Sequence, residues 1–184
     1  MSTFNVPKKE EVSAKNQAIF DQIEKTVGFV PNLFATYAYS ENALGNYLAL
    51  SNAPTSLKAK EKEVVNLAVS EVNGCNYCLS AHTAIAGMNG FTPEQILELR
   101  AGSASFDNKL DALAQLSRNL TENRGNADSA VLENFFAAGW TRENLIDTIV
   151  LVGDKTISNY INNTTEIPID FPVAQPLEAV GSVQ

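Results

Sequence analysis

Apolar residues recur at helical spacing along the whole chain. In EVSAKNQAIFDQIEKTVG, Val12, Ile19, Ile23 and Val27 return mostly every three or four positions and Gly28 stands where a helix closes, which predicts a first helix over residues 10–27. Pro31 disfavours helical geometry at Val30, so FVPNLF is a break and a short second helix opens near Asn32. SENALGNYLALSNAP reads as a third helix, ended by Pro54. A fourth, capped by Thr55 or Ser56, carries Leu57, Val64, Leu67, Ala68 and Val69 on its buried face and runs to about Val72. Asn73-Gly74 interrupts it, because glycine enters the left-handed conformation cheaply. A fifth helix then opens at or just before Cys75 and continues through CNYCLSAHTAIAGMN.

GFTPEQILEL holds a capping box, with Thr92 at the cap, Pro93 at the first helical position and Gln95 three residues after the cap, predicting a helix from 93 to about 101. DNKLDALAQLSRNLTENRG places Leu110, Leu113, Leu116 and Leu120 on one face behind an Asp107 cap, and Gly125 ends it. SAVLENFFAAG and TRENLIDTIVLVGDKTISNYINN complete the series, the last apolar enough for a central helix. GFTPEQI and GWTRENL echo each other, and both read as helix starts with an aromatic residue packed before the cap. No segment alternates in the manner of a strand. The fold class is therefore all-α, a bundle of about seven to eight helices without significant sheet.

Length and charge narrow this picture. A chain of 184 residues forms one domain over 1–184, with its core at 30–170 and a Pro-punctuated extended tail at 171–184 suited to wrapping a neighbouring subunit. Thirteen Lys and Arg against 21 Asp and Glu give a net charge of -8, which repels phosphate backbones and anionic lipid and argues against nucleic-acid or membrane partners. The N-terminal stretch has no apolar targeting core, and no later segment reaches 18 uninterrupted apolar residues, so a soluble cytoplasmic protein is expected. Neither a G-x-G-x-x-G nor a phosphate-loop pattern occurs, and no cofactor is expected.

The chemistry gathers in SEVNGCNYCLSAHTA, which holds both cysteines and the only histidine of the chain. In a helix each residue advances roughly 100°, so Cys75, Cys78 and His82, spaced by three and four, lie along one face. Cys78 and His82 form an i, i+4 pair in which the imidazole can take the thiol proton, and Cys75 sits where helix N-terminal amides favour a negative sulfur. Two cysteines are often inert buried hydrophobes, but C-x-x-C spacing with a histidine one turn on argues for a redox dithiol with its own base. Zinc is the chemical rival. It normally takes four ligands, and three are present, so a carboxylate or water would have to complete the site. Haem attachment fails because His82 does not follow Cys78 directly, and an iron–sulfur cluster lacks thiolates. A carboxylate partner for His82 has two candidates, Glu71 near the motif and Glu63 in the otherwise apolar run of the preceding helix, where an unpaired charge is costly.

KEVVNLAVSEVNGCNYCLSAHTAIA resembles the core of the alkylhydroperoxidase D (AhpD)-like, peroxidase-related branch of the carboxymuconolactone decarboxylase family, with a Glu twelve residues before the first Cys and then N-G-C-x-x-C-x-x-x-H. GFVPNLF, AAGW and NYINNTTEIPID extend the resemblance over most of the chain after residue 28. The resemblance implies a helical fold, a homo-oligomer (trimer or hexamer) and thiol-dependent reduction of peroxides. It gives Cys78 the role of peroxidatic cysteine, Cys75 that of resolving cysteine, His82 that of base and Glu63, rather than Glu71, that of relay carboxylate. Tyr77 stands where well-known peroxidase members have a second histidine. The expected partners are a peroxide substrate and an external dithiol reductant of lipoyl or thioredoxin-like type, with no metal. A thiol–disulfide oxidoreductase or redox sensor without strong peroxidase activity is the first alternative, and a non-enzymatic or metal-binding helical assembly the second.

Overall fold

The computed structural model describes residues 4–177. Among these residues a short 3-10 turn at Lys9–Glu11 precedes nine α-helices and no strand occurs. The helices are α1 (Ala14–Val27), α2 (Asn32–Tyr37), α3 (Ala43–Ser51), α4 (Ala59–Val72), α5 (Asn76–Met88), α6 (Pro93–Arg100), α7 (Asn108–Glu122), α8 (Ser129–Ala137) and α9 (Arg142–Thr165). The architecture is all-α, as the periodicity predicts, and each helical segment read from the sequence, the short α2 and α8 included, forms a helix of its own, so the count among the described residues is nine and not seven to eight.

Two helix boundaries differ from expectation for local reasons. Helix α1 starts at Ala14, not residue 10, because Ser13 takes extended geometry and its hydroxyl accepts the Asn16 N–H. Helix α4 is capped at Lys58, whose N–H is received by the Glu61 carboxylate at 2.7 Å. Ser56, an expected cap, instead bonds the Asp147 carboxylate through both its N–H and its hydroxyl, each at 2.6 Å. Thr92 and Thr141 cap α6 and α9 in the same way, accepting from Gln95 N–H and Asn144 N–H. Each is preceded by a buried aromatic, Phe91 or Trp140.

Helix α4 is the axis of the bundle and packs against α5, α6, α7 and α9. Every residue from Glu63 to Ser70 is buried, so this helix has no solvent face over more than two turns. One apolar cluster joins its Val64, Val65, Leu67 and Val69 to Leu99, Leu113, Leu116, Phe135 and Trp140. A second gathers Phe20, Leu33, Tyr37, Leu44 and Tyr47 from α1–α3 around Cys75, Tyr77, Cys78 and Ile167. The dithiol thus lies inside a core.

The chain beyond α9 is extended and folds back across α5. Tyr77 Oη donates to Asp170 Oδ1 at 2.6 Å, Ala174 N–H donates to Ser80 Oγ at 3.0 Å, and Arg100 Nη1 donates to the Gln175 carbonyl at 2.6 Å. A Pro-punctuated tail at 171–184 is suited by sequence to wrapping a neighbouring subunit. Its described part is strapped to its own chain, and residues 178–184 of that tail lie outside the described residues. Among the described residues no helix is long and apolar enough to cross a membrane.

Candidate active site

Gly74 makes the site possible. It follows the Asn73 C-cap of α4 at φ +63°, a left-handed conformation open to glycine, and turns the chain so that α5 starts two residues later, at Asn76. Cys75 becomes the N-cap of α5, its N–H returning to the Ser70 carbonyl at 3.0 Å and its sulfur accepting the Cys78 N–H at 3.3 Å. The C-x-x-C spacing therefore does what Ser or Asp does at an ordinary cap: it puts an electron-rich atom on the unsatisfied amides of the first turn.

Both sulfurs are free thiols and both are buried. The Cys75 thiol is pulled down to about 7, first by the hydrogen bond from the Cys78 thiol, against burial, and then by the Cys78 N–H, the Asn159 side chain and the Lys155 charge. The Cys78 thiol is pushed up because it donates to Cys75, is buried and faces the Cys75 charge, with Lys155 and Asn159 opposing. Of the two thiols, Cys75 is therefore the one that ionises first. This ordering is opposite to an ionised Cys78 at rest, since the N-cap position outweighs the turn of helix that separates Cys78 from the free amides.

Helix α4 brings Glu63 to His82. The Glu63 Oε2 to His82 Nδ1 distance is 2.8 Å, and Glu63 Oε1 accepts from Asn66 Nδ2 at 3.0 Å. Burial pushes the Glu63 carboxyl up, but His82, Asn66 and Lys155 together hold it below its ordinary value, so it is ionised at neutral pH. An ionised carboxylate at Nδ1 requires the proton on that nitrogen, which leaves Nε2 as an acceptor. That acceptor is filled. Lys155 of α9 places Nζ 2.7 Å from Nε2. Burial and the Lys155 charge hold the imidazole below its ordinary value despite Glu63, keeping it neutral. Burial also pulls the Lys155 amine down, yet Tyr47, Cys78, Asp154 and Glu63 outweigh it and keep the ammonium charged.

The expected bond between His82 and Cys78 is thus replaced by a chain of contacts, Glu63 to His82 to Lys155, and the Lys155 charge acts on both thiols. The i, i+4 spacing does place His82 and Cys78 on the same side of α5, but α9 inserts its lysine beside the imidazole. Sequence reasoning missed Lys155, Asn66 and Asn159. One signal for Lys155 was available: Asp154-Lys155 puts adjacent ionisable residues in a helix apolar enough to be central, and both are indeed buried.

Glu71 points elsewhere. Its carboxylate pairs with Arg100 Nε at 2.7 Å, so it is committed to a structural ion pair and not to the imidazole. Tyr77 is likewise committed, donating to Asp170 while accepting the Leu33 N–H at 3.2 Å, and burial followed by Asp170 raises its hydroxyl above the ordinary range. The phenol that stands at the second-histidine position anchors the C-terminal strap. No group of three or more His, Cys, Asp or Glu among the described residues is disposed to hold a metal ion. An open groove of about 390 Å³, lined by Gly74, Asn76, Tyr77, Asn162, Asn163 and Ile167, among others, borders the turn that carries Cys75.

Residues 39–118, which hold α3 to α6, most of α7 and all four of Glu63, Cys75, Cys78 and His82, match the model of the carboxymuconolactone decarboxylase family. That match spans less than half of the chain. Similarity of structure extends beyond the matched residues. The chain resembles an alkylhydroperoxidase AhpD core, the uncharacterized peroxidase-related protein from Ralstonia eutropha, at 22% identity, 92% of each chain covered and a TM-score of 0.82. An uncharacterized peroxidase-related protein from a Silicibacter species is similar at 21% identity, 91% of each chain and a TM-score of 0.79. The debrominase Bmp8, solved as a cysteine-to-alanine variant with 2,3,4-tribromopyrrole, is similar at 15% identity, 92% of this chain and 94% of that one, and a TM-score of 0.76. These likenesses establish the AhpD-like fold. No curated protein matches the sequence.

Proposed function

We propose that this protein is a thiol-dependent peroxidase of alkylhydroperoxidase type, cycling Cys75 and Cys78 between dithiol and disulfide. The observation that carries the reading is the pair itself: two free thiols within one helical turn, one held as a ready thiolate at the α5 N-terminus, beside a buried Glu63–His82 pair. In this cycle the proton shared between the sulfurs crosses to Cys75, and the Cys78 thiolate attacks the terminal peroxide oxygen. That step gives a Cys78 sulfenic acid and an alcohol, or water from hydrogen peroxide. The Cys75 thiol condenses with the sulfenic acid, releasing water and closing a disulfide. An external dithiol of lipoyl or thioredoxin-like type restores both thiols by exchange.

A homo-oligomer, trimer or hexamer, belongs to the same proposal. Ile146, Ile149, Val150, Ile157 and Tyr160 form an exposed apolar stripe along α9, the kind of face that another copy of the chain would cover.

The testing experiment is peroxide consumption with dihydrolipoamide as reductant, wild type against Cys78→Ser. Turnover that is abolished in the variant supports the proposal; an undiminished rate sinks it. A second reading, thiol–disulfide exchange, draws on the placement of the thiolate on Cys75, because exchange needs an ionised thiol and no peroxide. Comparing the rates at which hydrogen peroxide and a small disulfide oxidise the pair separates the two.

A further inference from the structure

Lys155 is 6% exposed, and the one hydrogen bond of its ammonium among the described residues goes to His82 Nε2. An ammonium carries three donors, so two N–H groups are left without an acceptor in a core position, a costly arrangement unless an anion meets them at some stage. The groups that face it come from every helix around the site: Tyr47 from α3, Glu63 from α4, Cys78 and His82 from α5, and Asp154 from α9 itself. The Lys155 charge acts on both sulfurs, but Cys75 draws its stabilisation first from Cys78 and the helix N-terminus, whereas Cys78 stands one helical turn before His82, the residue that Lys155 bonds. The other buried cation, Arg100, is taken by Glu71.

We infer that Lys155 joins the Glu63–His82 pair to the dithiol, moving the shared charge from Cys75 onto Cys78 and giving a proton to the oxygen that leaves when the peroxide is cleaved. This rests on the peroxidase reading above and adds to it the acid that the cycle needs. One free N–H faces the Cys78 thiolate as it forms. As the S–O bond forms and the O–O bond breaks, Cys78 loses two electrons to the peroxide, and the departing alkoxide or hydroxide takes a proton from Nζ. Lys155 is then a neutral amine, held by its bond with His82, whose orientation Glu63 fixes. Condensation of the Cys75 thiol with the Cys78 sulfenic acid releases water without net proton change. The external dithiol then delivers two electrons and two protons, leaving a Cys75 thiol, a Cys78 thiolate and a recharged Lys155.

Two features of the site share this cause. A buried lysine sits against a neutral histidine instead of a carboxylate, which suits proton return and is a poor way to stabilise a fold. The only histidine of the chain acts on the thiols through a cation, so Cys78 does not need to touch the imidazole.

The test measures the pH dependence of alkylation at each sulfur alone, Cys78 in a Cys75→Ser chain and Cys75 in a Cys78→Ser chain, with Lys155 intact or changed to Met. An opposite charge at close range lowers a thiol by about one unit or more, so Lys155→Met is expected to raise the Cys78 midpoint by at least one pH unit, roughly a tenfold loss of rate at pH 7. The Cys75 midpoint is expected to move by less than half as much. An unmoved Cys78 midpoint, or equal movement of both, overturns the inference. For a Lys155→Met chain that loses its helical spectrum, the intact protein answers instead. With nitrogen-labelled lysine, one slowly exchanging Nζ resonance should shift when Cys78 is alkylated, and the absence of such a response overturns the inference. Neither measurement uses peroxide. A shifted midpoint in a protein with no peroxide turnover would remove the peroxidase reading and leave the charge coupling standing.

Discussion

Replacing Tyr77 by Phe removes one oxygen and keeps the ring, whose edge-on contact with Phe171 has a centroid separation of 5.7 Å. Two bonds are lost: the donation to Asp170 Oδ1 at 2.6 Å and the acceptance of the Leu33 N–H at 3.2 Å. Asp170 Oδ2 keeps its bond from Asn32 N–H at 2.7 Å, so the carboxylate is only half abandoned. The Leu33 amide is buried and finds no other acceptor, which costs about 1–3 kcal/mol, and a hydrogen bond to a carboxylate contributes about 1.5–3 kcal/mol. The two share one hydroxyl, so a combined loss of about 3 kcal/mol is the expected magnitude, or a fall in Tm of about 6–12 °C for a domain of this size. Thermal and urea unfolding of Tyr77→Phe read the loss. Because the phenol is tied to the C-terminal strap and not to the relay, the alkylation midpoints of the two cysteines should stay within about half a pH unit of wild type. A variant as stable as wild type within about 0.5 kcal/mol, or one with a displaced thiol midpoint, refutes the assignment of Tyr77 as an anchor.

Other outcomes follow from the same geometry. Glu71→Gln strips the partner from an almost fully buried Arg100, and should cost about 2–4 kcal/mol in urea unfolding while leaving peroxide turnover within twofold of wild type. Both Glu63 and His82 are held below their ordinary values of 4.5 and 6.5, so each binds more protons when the chain unfolds. Their contribution is present above those values and is lost on acidification; stability should therefore fall from about pH 6.5 downward, and the fall below pH 4.5 should shrink in Glu63→Gln. With Cys75 at about 7, alkylation of the reduced protein should reach half its maximal rate near pH 7, and a midpoint near 9 would contradict the N-cap thiolate. Changing Ile149 and Ile157 to Asp on the exposed face of α9 should reduce the sedimenting mass to that of one chain; an unchanged mass would remove that face from the interface.

The helices were legible because each carries its own punctuation. Thr92 with Gln95 and Thr141 with Asn144 announce their caps in sequence, and Gly74 announces the break that frees Cys75. Where a boundary moved, an alternative partner had decided it: Asp147 reaches Ser56 across 91 residues, a bond no local pattern reveals. The same division holds in the site. Cys75, Cys78 and His82 share one helix and are readable from spacing alone, and Glu63 betrays itself as a charge in an apolar run. Lys155 lies 73 residues from His82, and its role depends on how α9 is laid against α5. Asp170 is further still from helical logic, since it belongs to an extended strap whose path is fixed only by tertiary contacts with Tyr77 and Asn32.

The central claim, a dithiol that reduces peroxide, is tested most directly in a single turnover without added reductant. Fully reduced protein treated with one equivalent of hydrogen peroxide should consume it and lose both thiols together into one Cys75–Cys78 disulfide, identified by peptide mass. Cys75→Ser should stop at a Cys78 sulfenic acid that a dione reagent traps. Peroxide left unconsumed with both thiols intact, or consumed as fast by Cys78→Ser, would contradict the account.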